Sequence, residues 1–300
     1  MRTKTYLFAL MAMALTLGSC SDNENGIGGE TSKYITVSTS IGNMTRVATD
    51  ENGGQKFEDG DEISVYAWTG DPAVAPETSE RVVNNAINKL TNGSWVSTPQ
   101  MLWKNNRDKH YFIGVYPISA ISDLSAGEYT FDETKQVESD LLVAVNKDGL
   151  SYNVDEQQTV PLTFTHVMAK LVVNLTYKNQ WGGIPTVEKV VVGNAAKEAT
   201  INYLTKVVTP STTAKEDFSL PEITENTKYV SVIIPQEDVK QLTIVIGGKN
   251  FVYDNGTPFK LESGKITTVN LEVGRDEIKL GDVKITDWEN GSTFSGEALN

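Results

Sequence analysis

Apolar residues in this 300-residue chain recur at every second position far more often than at every third or fourth. That spacing restricts the fold more than any other feature, because period two places side chains alternately on the two faces of a strand. Ile35, Val37, Thr39 and Ile41 fall on one face, with Tyr34, Thr36, Ser38 and Ser40 on the other. The same alternation runs through Glu62 to Trp68, Tyr111 to Tyr116, Asp140 to Val145 and Lys170 to Leu175. It returns at Lys189 to Val192, Tyr229 to Ile234, Gln241 to Ile246 and Val269 to Val273. The runs are rich in β-branched and aromatic residues and are separated by Gly, Asn, Asp and Pro, so they read as short antiparallel strands joined by turns. Val82 to Leu90 is the best candidate for a helical turn. The expected class is all-β.

The runs divide into two sets of about seven, each the size of a β-sandwich. The expected domains are therefore 33–165 and 166–300. No proline- or glycine-rich linker marks the change near Phe164-Thr165-His166, so the boundary is read as one continuous extended segment. No sequence repeat with a period of 20–50 residues is visible, which argues against solenoids and propellers.

Before these strands the chain reads as an export signal. Arg2 and Lys4 precede an apolar stretch from Tyr6 to Leu17, followed by Gly18, Ser19 and Cys20, the only cysteine. The stretch is shorter than the ~20 residues that span a bilayer and has the basic, apolar and small-residue order of a secretory signal. A thiol at the cleavage point resembles a bacterial lipobox, so residues 1–19 are expected to be a lipoprotein signal peptide and Cys20 the lipidated residue. Ser21 to Gly29 is polar, acidic and glycine-rich, and residues 20–32 read as a flexible tether. Removal of Arg2 and Lys4 leaves 24 of the 26 Lys and Arg against 39 Asp and Glu. Such a balance argues against nucleic acid or anionic lipid as the main partner. With Cys20 lipidated, no disulfide can brace the fold.

The residues offer little catalytic chemistry. His110 and His166 are the only histidines and stand apart; His166, among apolar neighbours in Phe164-Thr165-His166-Val167-Met168-Ala169, reads as a hydrogen-bonded structural residue. There is no His/Cys cluster for zinc, no Gly-x-Ser-x-Gly and no phosphate loop. Asp59-Gly60-Asp61-Glu62 lacks the ligand spacing of a calcium loop and reads as a solvated hairpin turn. No enzyme, cofactor or metal is expected.

Several motifs occur in a fixed order. They are the lipobox, Met44-Thr45-Arg46-Val47, Phe57-Glu58-Asp59-Gly60-Asp61-Glu62-Ile63-Ser64-Val65-Tyr66, and Trp103 ahead of Tyr111-Phe112-Ile113-Gly114-Val115-Tyr116-Pro117. Phe164-Thr165-His166-Val167-Met168-Ala169-Lys170-Leu171 and Ile285-Thr286-Asp287-Trp288 complete the set. Together they resemble the fimbrillin family of Bacteroides-type bacteria, the lipoprotein pilins of protease-activated pili. The acidic run behind Cys20 also resembles the surface-export signal of Bacteroides-type lipoproteins. The resemblance implies two tandem transthyretin-like seven-stranded antiparallel β-sandwich domains. The implied function is that of a structural subunit or accessory adhesin of a cell-surface fimbria, held in the outer membrane by its lipid anchor.

The implied partners are other copies or related fimbrial subunits and a trypsin-like maturation protease. The protease would cut between Arg46 and Val47 and free the first strand, which holds Ile35, Val37, Thr39 and Ile41. At about 1.5–3 kcal/mol per buried aliphatic side chain, that removes on the order of 5–9 kcal/mol, comparable with the stability of a whole domain. The groove left behind would have unpaired edges and empty pockets at period two, suited to another chain's strand. The candidate donor is the C-terminal region, where Ile278 and Leu280, then Val283 and Ile285, alternate around Gly281-Asp282; otherwise these form the last strands of the second sandwich. A different reading is a surface glycan-binding lipoprotein, which would require two or more of Trp68, Trp95, Trp103, Trp181 and Trp288 on one open face.

Overall fold

The computed structural model describes residues 33–42, 56–153, 155–156, 158–254 and 256–288. Up to His166 the strands are β1 (Thr36–Ile41), β2 (Glu62–Thr69), β3 (Val83–Thr91), β4 (Ser94–Thr98), β5 (His110–Tyr116), β6 (Gly127–Thr130), β7 (Leu142–Leu150) and β8 (Thr159–His166). Then follow β9 (Ala169–Tyr177), β10 (Val187–Ala196), β11 (Glu198–Asn202), β12 (Val207–Pro210), β13 (Lys215–Ser219) and β14 (Glu222–Thr224). The last are β15 (Lys228–Ile233), β16 (Gln241–Ile246), β17 (Lys249–Asp254), β18 (Lys265–Val273) and β19 (Ile278–Asp287). Two single 3-10 turns, Thr78–Glu80 and Asn179–Trp181, are the only helical pieces among the described residues. The protein is all-β. Eight strands run up to His166 and eleven after it, where seven in each part were expected.

Strands β1-β8-β7-β5-β2-β3-β4 form a seven-stranded sheet in that order. The others are a four-stranded sheet β13-β10-β16-β17, a five-stranded sheet β14-β15-β9-β18-β19 and a three-stranded sheet β12-β11-β6. Most ladders are antiparallel, as the turn-separated runs suggest. Two correct that reading: β1 runs parallel to β8, and β9 runs parallel to β18. Alternation looks the same in both kinds of ladder, so direction was not encoded in it.

The candidate helical turn at Val82 to Leu90 is instead the strand β3. Val65 faces Ala86 and Ala67 faces Val83, so the pair Asn84–Asn85 opposes the single Tyr66. This is a β-bulge, and Asn85 takes its positive φ of 54°, which Asn tolerates better than most residues. The three-residue step from Val83 to Ala86 that suggested a helix is the bulge.

The central strands are buried on both faces. Along β2, Ile63, Val65 and Ala67 join one core with Ile35, Val37, Met101, Trp103 and Phe164. Tyr66 and Trp68 point into a second core, which also holds Ile113, Val115 and Val143 with residues from Val167 to Val273. The side chains on both sides of the 165/166 division thus meet in one apolar cluster. The backbone crosses as well: β6 pairs with β11, Gly127 facing Ile201 and Thr130 facing Glu198.

Gly114 lies mid-sheet, facing Val65 on β2 and Ala144 on β7. A Cβ there would stand 2.7 Å from the Phe164 ring, closer than real carbon atoms approach. Gly114→Ala is therefore expected to lower unfolding stability by about 1–3 kcal/mol through overpacking. Chemical denaturation of the two proteins checks this, and an unchanged midpoint would show that Phe164 moves aside freely.

Candidate strand-exchange site

The first strand lies as a plug along one edge of the seven-stranded sheet. Ile35, Val37 and Ile41 are buried, 2%, 7% and 8% exposed, in the core that holds Met101, Trp103 and Phe164. Thr39 is only half-buried. The backbone ladder runs to β8 from Thr36 opposite Thr159 to Ile41 opposite Phe164. Side-chain hydroxyls reinforce it: Thr36 and Thr159 lie 3.1 Å apart, and Ser40 donates to Thr163 at 3.1 Å.

On the other side, β1 meets β4 edge to edge without a ladder. The Trp95 indole N–H donates to the Thr39 hydroxyl at 3.0 Å. Ahead of the strand, the Ile35 N–H donates to the Met101 carbonyl at 3.0 Å and the Trp103 N–H to the Lys33 carbonyl at 3.2 Å. A shallow cavity of 720 Å³ lies along this edge, lined by β1 with Phe57, Leu90 and Trp95 among others. Phe57 stands edge-on to Trp95, Tyr116 and Phe164 at 5.3, 5.4 and 5.1 Å. Nothing in the sequence pattern marked Phe57 for this role, since its neighbours do not alternate.

Ile41, Lys56 and Phe57 also line a second cleft, of 610 Å³, which extends to Lys170, Val230, Val232 and Trp288. Burial pushes the Lys170 ammonium pKa down, with Asp140 opposing the shift. Burial pushes the Tyr116 phenol up, and Asp61, Asp140 and Glu138 add to it. Gly42, after β1, donates its N–H to the Phe164 carbonyl at 2.8 Å. The bond between Arg46 and Val47 lies outside the described residues, as does Cys20 with its tether.

The candidate donor residues lie on β19, an edge strand paired with β18. Val283 faces Val269 and Leu280 faces Leu271, so Gly281 and Asp282 together oppose the single Asn270. This bulge keeps Ile278, Leu280, Val283 and Ile285 on one face although the strict alternation breaks between them. Their partners Val269 and Leu271 are fully buried, whereas Leu280, Val283 and Ile285 are 37%, 39% and 38% exposed. The apolar row is half-covered.

The remaining candidates are structural in their contacts. Asp59 accepts the backbone N–H groups of Asn92 and Gly93 at 2.9 and 3.0 Å, and Asp61 accepts that of Glu58 at 2.7 Å, so the acidic run braces a hairpin. His166 Nδ1 lies 2.8 Å from the Asp140 carboxylate. His110 is fully buried; its Nε2 accepts the Lys104 N–H at 3.0 Å and its Nδ1 faces the Asp108 carbonyl at 3.1 Å. Among the described residues no group of three His, Cys, Asp or Glu could hold a metal ion, and no helix is long and apolar enough to cross a membrane. Trp68 and Trp103 are buried, and Trp95, Trp181 and Trp288 are half-buried. Trp181 donates to the Val273 carbonyl at 3.0 Å.

A family model described as fimbrillin-like matches residues 45–288. No curated protein matches the chain. Among solved structures, a putative cell adhesion protein of Bacteroides uniformis superposes with a TM-score of 0.64 at 18% identity, covering 85% of this chain and 98% of its own. One from Bacteroides ovatus gives 0.62 at 18% identity, covering 87% and 99%. A fimbrial protein of Bacteroides vulgatus gives 0.52 at 13% identity, covering 84% and 99%. At these identities the likeness is one of fold.

Burial holds the His110 pKa below its ordinary 6.5, so the folded chain resists taking the proton that the unfolded chain accepts. Below about pH 6.5 the unfolded state then binds more protons, and stability falls with pH until the folded pKa is passed. Thermal melts near pH 7.5 and 5.5 should show a smaller drop in His110→Asn than in the wild type. Equal drops would mean that His110 takes up its proton without unfolding.

Proposed function

Because the chain belongs to the fimbrillin-like family, we propose that it is the lipid-anchored precursor of a fimbrial subunit or an accessory adhesin, assembled outside the cell by protease-triggered strand exchange. Cys20 carries the anchor to the outer membrane, and a trypsin-like protease cuts between Arg46 and Val47. The observation that carries this reading is the position of β1: with Ile35 just ahead of it, the strand buries three core side chains, and from Thr36 to Ile41 its backbone ladder runs to β8 alone, the only opposite-edge backbone bonds being those of Lys33 and Ile35 to Trp103 and Met101. A core strand held on both edges would be trapped after cleavage, and a surface strand would leave no socket worth filling.

The energetics support an exchange rather than a spontaneous departure. After the cut, β1 still has its ladder and the burial of Ile35, Val37 and Ile41, on the order of 5–9 kcal/mol. A competing strand offers the same burial to the same sockets. If it runs against β8, it also replaces a parallel ladder with an antiparallel one, which is slightly more stable per residue. The row Ile278, Leu280, Val283 and Ile285 suits the donor role because it is apolar, in phase and half-exposed. The glycan-binding reading draws less support, since none of the five tryptophans is fully exposed.

Limited trypsin treatment of the folded protein tests the proposal. Cleavage is expected behind Arg46, with most of the other Lys and Arg residues spared, because strand backbone does not enter a protease. At high protein concentration the cut protein should form SDS-resistant ladders whose subunits begin at Val47. Arg46→Ala should fold normally and form none. Ladders of equal yield from Arg46→Ala, or ladder subunits that retain residues 33–46, would remove strand loss as the trigger.

A further inference from the structure

Two of the sequence motifs, far apart in the chain, meet in the structure. Trp288, which closes Ile285-Thr286-Asp287-Trp288, lies flat on the imidazole of His166, with ring centroids 4.0 Å apart and planes 5° from parallel. Lys170, from the same motif as His166, places its ammonium 5.3 Å from the Trp288 ring centroid. The Asp140 carboxylate, 2.8 Å from His166 Nδ1, fixes the plane of the imidazole. His166 Nε2 is buried and has no hydrogen-bond partner among the described residues. The flat face of His166 is engaged by the indole.

The location gives the contact its meaning. His166 ends β8, the strand that carries β1, whereas Trp288 directly follows β19. Strand β19 has a ladder on one side only, and its apolar row is half-exposed. Its far end is fastened by the Trp288 stack and by the Trp288 N–H, which donates to the Gly264 carbonyl at 2.9 Å. A parallel aromatic stack and a cation over an indole each add attraction beyond simple burial.

We propose that His166 and Lys170 clasp Trp288, and that this clasp is a lock holding the C-terminal strand in its own sheet until it leaves for another subunit. The locking role rests on the strand-exchange reading above; the clasp itself does not. Opening it costs the stack, the cation contact and the packing of Trp288 on the second core, and frees the end of β19 from which its ladder to β18 can open.

Hydrogen exchange on the full, uncut chain reads the clasp directly. In Trp288→Leu, amides of β19 should exchange about tenfold faster, while those of β10 and β16 keep their wild-type rates. His166→Phe, which retains a flat ring without the Asp140 contact, should keep β19 close to wild-type protection, whereas His166→Ala should resemble Trp288→Leu. Unchanged β19 exchange in Trp288→Leu, or equal acceleration in every strand, would overturn the clasp. After trypsin, Trp288→Leu should form ladders faster than the wild type. Faster β19 exchange with an unchanged ladder rate would overturn the lock while leaving strand exchange standing. Absence of ladders from the wild type would instead refute the assembly reading, and the exchange rates would still decide the clasp.

Discussion

The backbone of β1 hydrogen-bonds along one edge, to β8, while Ile35, Val37 and Ile41 sit in the same core as Trp103 and Phe164. These two facts pull in opposite directions. Three buried aliphatic side chains make the strand indispensable to the intact core, and a one-sided ladder makes it replaceable. The surroundings fit that balance. Gly114 leaves room for the ring of Phe164, the ladder partner of Ile41, and Phe57 lines the groove and makes three edge-on aromatic contacts. The seven-stranded sheet keeps its other face buried against the second core. Loss of β1 therefore opens one side of one core and leaves the rest of the sheet supported.

The two ends of the described chain carry related solutions. Both β1 and β19 are edge strands with an apolar row in phase, and each is pinned at one point by a tryptophan. Trp95 bonds Thr39 on β1, and Trp288 stacks on His166 beyond β19. They differ in burial. The β1 row is deep in the core and costs much to expose, while the β19 row is half-exposed already. That difference suits one strand to be the piece displaced and the other to be the piece that moves in. An edge strand with exposed apolar side chains invites unwanted pairing, which gives a lock on β19 a physical purpose before assembly.

Alternation located β1, β2, β5, β9 and β16 to within a few residues, because a half-buried or buried strand leaves its period in the sequence. It also singled out Ile278, Leu280, Val283 and Ile285, which a bulge at Gly281-Asp282 brings to one face of β19. The same kind of bulge misled at β3, where Asn85 turns a strand's spacing into a helix-like one. Strand direction, the pairing of β6 with β11 and the core shared across residue 166 were illegible, because period two says which face is buried but not against what. Within the candidate site, the sockets of Ile35, Val37 and Ile41 could be read, whereas the Phe57 contacts and the His166–Trp288 stack could not. His166 was recognisable as a hydrogen-bonded residue, but its flat face is engaged by a side chain from the other end of the chain.

The central claim is that β1 is a plug that another strand can replace without rebuilding the sheet around it. The most direct measurement is a high-resolution structure of filaments formed after cleavage. The account predicts a strand from a neighbouring subunit beside β8, with side chains at alternate positions filling the sockets of Ile35, Val37 and Ile41 and with Phe164 still buried. Filaments in which residues 36–41 of the same chain remain beside β8 would contradict it.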